Sequence, residues 1–356
     1  MRRIFHIITH FELGGAERVA INICKSHNEH FTYHIVEVVR GKSEFTEQML
    51  NELKENNIKY HRSPISSNKL GIILFPIWFL ILYLKYRPTI IHTHTEIPDL
   101  SIYLFHFICP WHKRYVRTIH NTELWNNWKF IGKKVESFFI SKKANIAISI
   151  ATKEEYLKAY DESYIPIIYN GIEQVSQKKF PYLQKNKINV LFAGRLEAQK
   201  GISEMISVIK SLNKETPYFF HIVGNGTLKQ YAQSETQDIP FIKYYEKIYG
   251  LSHYLKSFDY LFMPSRHEGL ALMSIEASLA HTPTIINSCK GLAETLPSDW
   301  ELAVHENSIK EYINIFYNKL PNIDYNKVAE KAYKYATSHF DIRIMQQQYE
   351  KFYSKL

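Results

Sequence analysis

The chain has 356 residues, 45% of them apolar and 22% charged; this exceeds a single hydrophobic core, so two ordinarily globular domains are expected. Three scattered cysteines, Cys24, Cys109 and Cys289, exclude a disulfide framework and a thiolate metal site and suggest a reducing compartment. The net charge of +9, larger in the first half, fits an anionic membrane surface or substrate, whereas nucleic acid is excluded because zinc-finger spacing, basic-region heptads and RNP-like aromatic patterns are all missing.

In chain order, Arg3 to Thr9 reads as a strand rather than a signal peptide, because His6, Thr9 and His10 break the apolar run. Gly14-Gly15-Ala16-Glu17-Arg18 then reads as a turn opening a helix, where two glycines allow close backbone approach to a ligand. A strand from Tyr33 to Val39 and a helix from Phe45 to Asn56 follow. Leu70 to Leu84 is the most apolar run, but it is shorter than the roughly 20 residues of a membrane span and has Pro76 inside; it is expected as a buried helix, with membrane-surface contact as the second reading. Thr89 to His94 is a strand whose His92 and His94 fall on one side. No third ligand lies at metal-like spacing, so no metal is expected there. Tyr115 to Ile119 is a strand ending in His120-Asn121-Thr122. Trp125 to Lys143 is an aromatic, basic amphipathic stretch, with Trp128, Ile131, Val135, Phe138 and Phe139 at helical spacing. It suits an interfacial helix on anionic lipid as well as an ordinary surface helix. Strands are expected at Asn145 to Ile150 and Pro166 to Tyr169.

Residues 173–187 are polar and weakly patterned, a candidate linker. The alternation then restarts: strand Ile188 to Phe192, helix Ile202 to Leu212, strand Phe219 to Val223, helix Thr227 to Ser234, strand Ile239 to Tyr244 and helix Ser252 to Ser257. From Leu261, an apolar strand leads through Pro264-Ser265 and Glu268-Gly269 into the apolar helix LALMSIEASLA and a second strand at Pro283 to Ile286. Glu276 is the only charge on that helix and is expected to need a partner. The last stretch, from about Asp324 to Leu356, reads as helical. The predicted fold class is α/β, with two doubly wound Rossmann-like domains facing across a cleft.

Candidate chemistry gathers at successive strand ends in the second half. Gly194-Arg195 and Lys200 place two cations around one loop, suited to a diphosphate whose charge grows as it leaves. Gly224-x-Gly226 offers close backbone approach. Glu276 can accept hydrogen bonds from a ribose diol, and Glu268 can contact the group beyond the phosphates. The base contacts are expected near Lys243 to Glu246.

Glu268 and Glu276 form an E-x7-E pattern in the frame Ser265-x-x-Glu268-Gly269-Leu270. With Gly14-Gly15-Ala16-Glu17-Arg18, His92-x-His94, Asn170-Gly171-Ile172 and Gly194-Arg195-Leu196…Lys200-Gly201, this resembles the retaining family-4 (group 1) glycosyltransferases of GT-B fold over nearly the whole chain. The resemblance implies an acceptor-binding domain at 1–172, a nucleotide-sugar domain at 173–335, and a terminal helix at 336–356 packing back on the first domain. It implies a hexosyl- or N-acetylhexosaminyl-type transferase, using a UDP-sugar by preference or a GDP-sugar, acting on a lipid-linked or glycan acceptor in capsule, lipopolysaccharide or glycolipid synthesis.

The catalytic residues it implies are Glu268, His120, Arg195 and Lys200. Donor contacts would come from Gly15, Arg195, Lys200, Gly224, Gly226, Gly269, Leu270, Ala271 and Glu276, and the acceptor side from Gly14, His94 and His120. No cofactor or metal is implied, and the protein is expected in the cytoplasm, peripheral on the inner membrane face. The alternatives are a non-catalytic GT-B binding protein and a GT-B sugar-nucleotide epimerase. Two positions depart from the family: His281 where glycine is frequent, and Asn145 in place of a common Asp.

Overall fold

A computed structural model describes every residue except Leu13, His27 and Asn127. The chain forms two compact units, Met1–Gly171 with Ile342–Leu356, and Ile172–Asp341.

In the first unit, strands β1 (Arg2–Ile8), β2 (Phe31–Glu37), β3 (Lys59–His61), β4 (Ile90–His94), β5 (Tyr115–Ile119) and β6 (Asn145–Ala147) form one parallel sheet in the order β3-β2-β1-β4-β5-β6. Its helices are α1 (Gly15–Cys24), α2 (Phe45–Glu55), α3 (Asn68–Tyr86), α4 (Glu96–Ile108), α5 (Lys129–Ser141) and α6 (Ile150–Ala159). A parallel sheet is covered on both faces, which is why β4 and β5 are buried at every position.

The second unit repeats the arrangement. Strands β7 (Ile188–Ala193), β8 (Tyr218–Val223), β9 (Ile242–Tyr245), β10 (Tyr260–Met263), β11 (Thr284–Asn287) and β12 (Ala303–Val304) pair in the order β12-β11-β10-β7-β8-β9. Helices α7 (Ile202–Ser211), α8 (Lys229–Glu235), α9 (Leu272–Leu279), α10 (Ile309–Asn314) and α11 (Tyr325–His339) follow, and α12 (Ile342–Ser354) belongs to the first unit. Counted within its own unit, each sheet has the doubly wound order 3-2-1-4-5-6.

Several expectations need correction. The stretch 70–84 is not a buried helix: of α3 only Gly71, Ile72, Phe75, Pro76 and Phe79 are fully buried and Trp78, Leu80, Leu82 and Tyr83 pack partly buried on the same core, while Ile73, Ile77 and Ile81 are 62%, 60% and 64% exposed. Gly71 sits so close to Val39 that an added Cβ would lie 2.7 Å from Val39 Cγ2. Of the predicted α5 stripe, Val135, Phe138 and Phe139 are buried but Trp128 and Ile131 are exposed. Pro166 to Tyr169 contributes only an isolated bridge to Ala147, and residues 173–187 are no free linker, because Phe180 is buried in the second core. The strand expected at 145–150 ends at Ala147, and helix α6 begins at Ile150, capped by Ser149; strands β3 and β12 and helices α4, α6 and α10 have no counterpart in the sequence reading.

The terminal helix breaks at Phe340–Asp341, so the change of unit falls at 342 rather than 336. His281 follows α9 with φ of 58°, the left-handed conformation that makes glycine frequent at such helix ends, and stacks on Tyr333 at 4.1 Å. Asn145 donates to Tyr156 Oη and Glu162 Oε2.

Candidate functional site

In doubly wound sheets, ligands bind beyond the carboxyl ends of the strands where the order reverses. Those positions are the ends of β1 and β4 in the first unit and of β7 and β10 in the second. Gly14 and Gly15 follow β1, His94 ends β4, His120 follows β5, and Gly194-Arg195 and Glu268 follow β7 and β10.

In the second unit the loops after β7 and β10 are locked together. Gly201 has φ of 72°, and a Cβ there would lie 1.8 Å from Pro264 O, so only glycine permits the approach. Arg266 N donates to Gln199 O at 2.8 Å and Gln199 Nε2 to His267 O at 3.1 Å. This lock brings Lys200 Nζ to Glu268 Oε1 and Oε2 at 2.6 and 2.9 Å. Glu268 is held from behind by the loop after β11: its N–H donates to Lys290 O, and Gly291, with φ of 76°, would place a Cβ 2.0 Å from Glu268 O. Asn287 Nδ2, which sequence reasoning missed, donates to Ser265 O in the same loop.

The remaining second-unit candidates differ in setting. Arg195 is exposed, with Nη2 near Gln199 Oε1 at 3.4 Å. Gly224 and Gly226 pack their Cα positions on the β7 loop, where added Cβ atoms would lie 1.9 Å from Gly194 O and 2.5 Å from Leu196 O. Their small size therefore serves loop-on-loop packing in the first place. Gly269, Leu270 and Ala271 lead into α9, and the N–H of Ala271 is already bonded to Gly291 O. Glu276 is half-buried on α9 and lines a small pocket with Glu173, Val175 and Ser252. Around Lys243 to Glu246, the Lys243 ammonium sits over the rings of Tyr182 and Tyr245, while Glu246 pairs with Lys229.

In the first unit, α1 begins at Gly15 with Gly14 as a cap that offers no side chain. Beside it the structure assembles a histidine cluster. Parallel pairing of β1 with β4 sets His6 opposite His92, so a third histidine does join His92 and His94, contrary to the expectation from spacing. One ring nitrogen from each lies within 4.8 Å of the others.

The donor set does not fit a metal, however, because nearly every nitrogen already has a partner. His92 bonds Tyr353 Oη through Nδ1 and Thr118 Oγ1 through Nε2, both at 2.7 Å. His94 bonds His6 Nδ1 through Nε2 at 3.0 Å and His120 Nε2 through Nδ1 at 3.1 Å. Burial pulls His6 and His120 down to about 3, and holds His92 and His94 well below the usual imidazole value, assisted by the neighbouring histidines. All four rings are therefore neutral near pH 7. His94 is buried, which turns it from an acceptor-side candidate into the support of His120. The period-2 alternation of β1 and β4 was the available signal for His6, once the two strands are taken as neighbours. An open pocket of about 390 Å³ is lined by Asn121, Thr122, Tyr156 and Tyr160 among others.

A second buried group on the same sheet is structural. Arg117 of β5 donates to Asp99 at 2.7 Å and to both oxygens of Glu136 at 2.6 and 2.7 Å. Glu136 also accepts from Trp125 Nε1 and Tyr156 Oη. Burial alone would raise the Glu136 carboxyl, but Arg117 and these donors pull it below its ordinary value.

Two family models match the chain, Glycosyltransferase Family 4 over residues 13–174 and glycosyl transferases group 1 over residues 174–335. A 41.2 kDa protein encoded in the cps region of Klebsiella pneumoniae is 27% identical over 74% of this chain and 82% of its own length. The capsular polysaccharide biosynthesis glycosyltransferase CapH of Staphylococcus aureus is 26% identical over 81% of each. Among solved structures, HepE of Anabaena in complex with UDP and glucose superposes over 100% of both chains with a TM-score of 0.82 at 17% identity.

Proposed function

Because the chain belongs to the group 1 glycosyltransferases and has their GT-B fold, we propose that it moves a hexosyl or N-acetylhexosaminyl group from a nucleoside diphosphate sugar, UDP-linked by preference, to a glycan or lipid-linked acceptor, with retention at the anomeric carbon. The observation that carries this reading is the Lys200–Glu268 pair, fixed at the strand ends where the second sheet reverses order. Relatives in capsule and teichuronic acid synthesis support an acceptor of the surface-polysaccharide kind, and the UDP complex of HepE supports the uridine donor.

In the proposed reaction the bond from the anomeric carbon to the diphosphate breaks as the acceptor oxygen attacks from the same face. The departing phosphate oxygen takes the acceptor proton, so no separate base is required. Lys200 and Arg195 stabilise the charge that develops on the diphosphate, an interaction stronger in the transition state than in the ground state. Glu276 holds the ribose hydroxyls and Glu268 sits beside the sugar, and His120, just after β5, is read as a sugar-facing group.

A screen of UDP-, GDP-, ADP- and CMP-sugars by thermal shift and slow donor hydrolysis tests this. One nucleotide should stabilise the protein, and Arg195→Ala and Glu276→Ala should weaken that stabilisation. Wild-type turnover in both Glu268→Ala and Arg195→Ala would sink the assignment. Rearranged nucleotide-sugar formed without any acceptor would favour an epimerase.

The acceptor side is proposed to lie against an anionic bilayer. α3 keeps its inner face in the core while Ile73, Ile77, Ile81 and Leu84 point away from it, with Lys69, Lys85 and Arg87 at its two ends. A helix docked on its own domain in this way suits lying in the membrane surface, and the flanking cations suit anionic headgroups. Ile73→Ser/Ile77→Ser/Ile81→Ser should abolish flotation with anionic vesicles and leave turnover on a soluble acceptor intact. Unchanged flotation removes the proposal.

A further inference from the structure

We propose that His6 and His94 are positioning residues that hold His120 in one neutral tautomer, with its hydrogen on Nδ1, the nitrogen turned away from His94. The inference rests on the reading of His120 as a sugar-facing group, but its first measurement needs no substrate.

The three rings form a single file across β1, β4 and the end of β5. His6 Nδ1 meets His94 Nε2 at 3.0 Å, and His94 Nδ1 meets His120 Nε2 at 3.1 Å. Each contact requires one hydrogen between two nitrogens, and each neutral ring brings one. Two arrangements satisfy both contacts. In one, hydrogen bonds run outward: His6 donates to His94, His94 donates to His120, and His120 keeps its hydrogen on Nδ1. In the other they run inward, and His6 is left with its hydrogen on Nε2.

The far end of the file decides between them. His6 Nε2 is buried and has no hydrogen-bond partner among the described residues. The inward arrangement would strand an N–H there, and orphaned buried N–H groups are rare in folded proteins. The outward arrangement leaves only an unused lone pair. The strand register sets where each ring starts, with His6 opposite His92 and His94 opposite Thr118, and turning any of the three rings over by 180° would put a carbon in place of the nitrogen at its 3.0 or 3.1 Å contact and lose that hydrogen bond. His92 adds a third constraint, stacking on His94 at 4.2 Å while its own nitrogens are held by Tyr353 and Thr118. His120 Nδ1 makes no hydrogen bond among the described residues, and the residue is half-buried rather than fully enclosed. The result is an imidazole whose free nitrogen is a donor, able to hydrogen-bond a sugar hydroxyl or a developing negative charge but not to accept a proton there.

The test is the two-bond ¹H–¹⁵N correlation spectrum of the full chain labelled with ¹⁵N-histidine, with His120 assigned by comparison with His120→Gln. His120 is expected in the Nδ1–H form in the wild type. In His94→Leu, which lacks the donor, it should shift to the Nε2–H form or to a mixture. With a donor and acceptor in hand, kcat of His94→Leu should fall by at least about tenfold, with the donor KM within about twofold. His94→Asn, whose amide N–H stands in for Nδ1–H, should restore the tautomer and most of kcat. An Nε2–H form in the wild type, or an unchanged tautomer in His94→Leu, overturns the proposal. Should His94→Leu fail to fold, the wild-type spectrum still decides. If the tautomer is as expected but no nucleotide sugar turns over, the functional reading fails and the tautomer assignment stands.

Discussion

Replacing Lys200 by Met should destabilise the second unit as well as abolish sugar transfer, and a double-mutant cycle with Glu268→Gln can separate the two effects. Lys200 Nζ lies 2.6 and 2.9 Å from the Glu268 oxygens, and the two side chains are 19% and 7% exposed. Fully exposed pairs contribute about 0.2–1 kcal/mol, whereas breaking a fully buried pair costs about 3–5 kcal/mol. The present pair lies between, so Lys200→Met should cost about 2 kcal/mol, because it leaves a mostly buried carboxylate without its cation. Glu268→Gln should cost about 1 kcal/mol, since the more exposed ammonium can turn to water. The double variant should cost less than the sum, with a coupling of about 1–2 kcal/mol. Urea unfolding followed by circular dichroism measures all four corners. Donor hydrolysis should fall by about 10²–10³ in each single variant, and it should not recover in the double variant even though stability does. A coupling below about 0.3 kcal/mol, within ordinary additivity for independent sites, would refute the claim that Lys200 and Glu268 act as one coupled, mostly buried pair.

Other outcomes are expected from the same geometry. Gly201→Ala must move the Pro264 carbonyl, 1.8 Å from the added Cβ, and adopt φ of 72°; it should lose at least about 1–2 kcal/mol of stability and most donor binding, measured by calorimetry and thermal unfolding. Glu136→Leu leaves Arg117 with Asp99 as its one carboxylate and two further buried donors without their acceptor and should destabilise the first unit by about 3–5 kcal/mol, whereas Lys158→Met, at an exposed lysine paired with Glu155, should change it by less than about 0.5 kcal/mol. The folded state holds His6 at about 3 while the unfolded chain takes up the proton near 6.5. Its contribution is therefore complete above pH 6.5 and is lost as pH falls toward 3, by about 2 kcal/mol at pH 5. His6→Phe should flatten the loss of stability between pH 7 and 5 by that amount in urea titrations.

The sequence showed the second-half site more fully than the first. Arg195, Lys200 and Glu268 lie in loops after strands and Glu276 on the helix that follows, and their apolar runs and glycines can be read directly, because strand, loop and helix succeed one another locally. Even there, the glycines at 224 and 226 read as openings for a ligand, whereas the structure packs them against Gly194 O and Leu196 O. In the first half, the histidine file was invisible: His6 and His120 stand 114 positions apart, and nothing local to either marks them as neighbours. α3 was misread for a related reason. An apolar run reports hydrophobicity but not whether protein or another apolar surface covers it.

The alternation of β-branched runs, glycine turns and amphipathic helices determined by itself that this protein is two doubly wound domains, and the spacing of Glu268 and Glu276 pointed to the candidate site at one end of the second sheet. These are properties of short segments, set by backbone geometry and burial within a few residues of each side chain. Tertiary structure alone decided that Lys200 meets Glu268, that His6 supports His94 and His120, and that one face of α3 is left uncovered. Each of these depends on which strands become neighbours and in what register, and pairing between distant strands is chosen by the packing of the whole sheet rather than by any one segment.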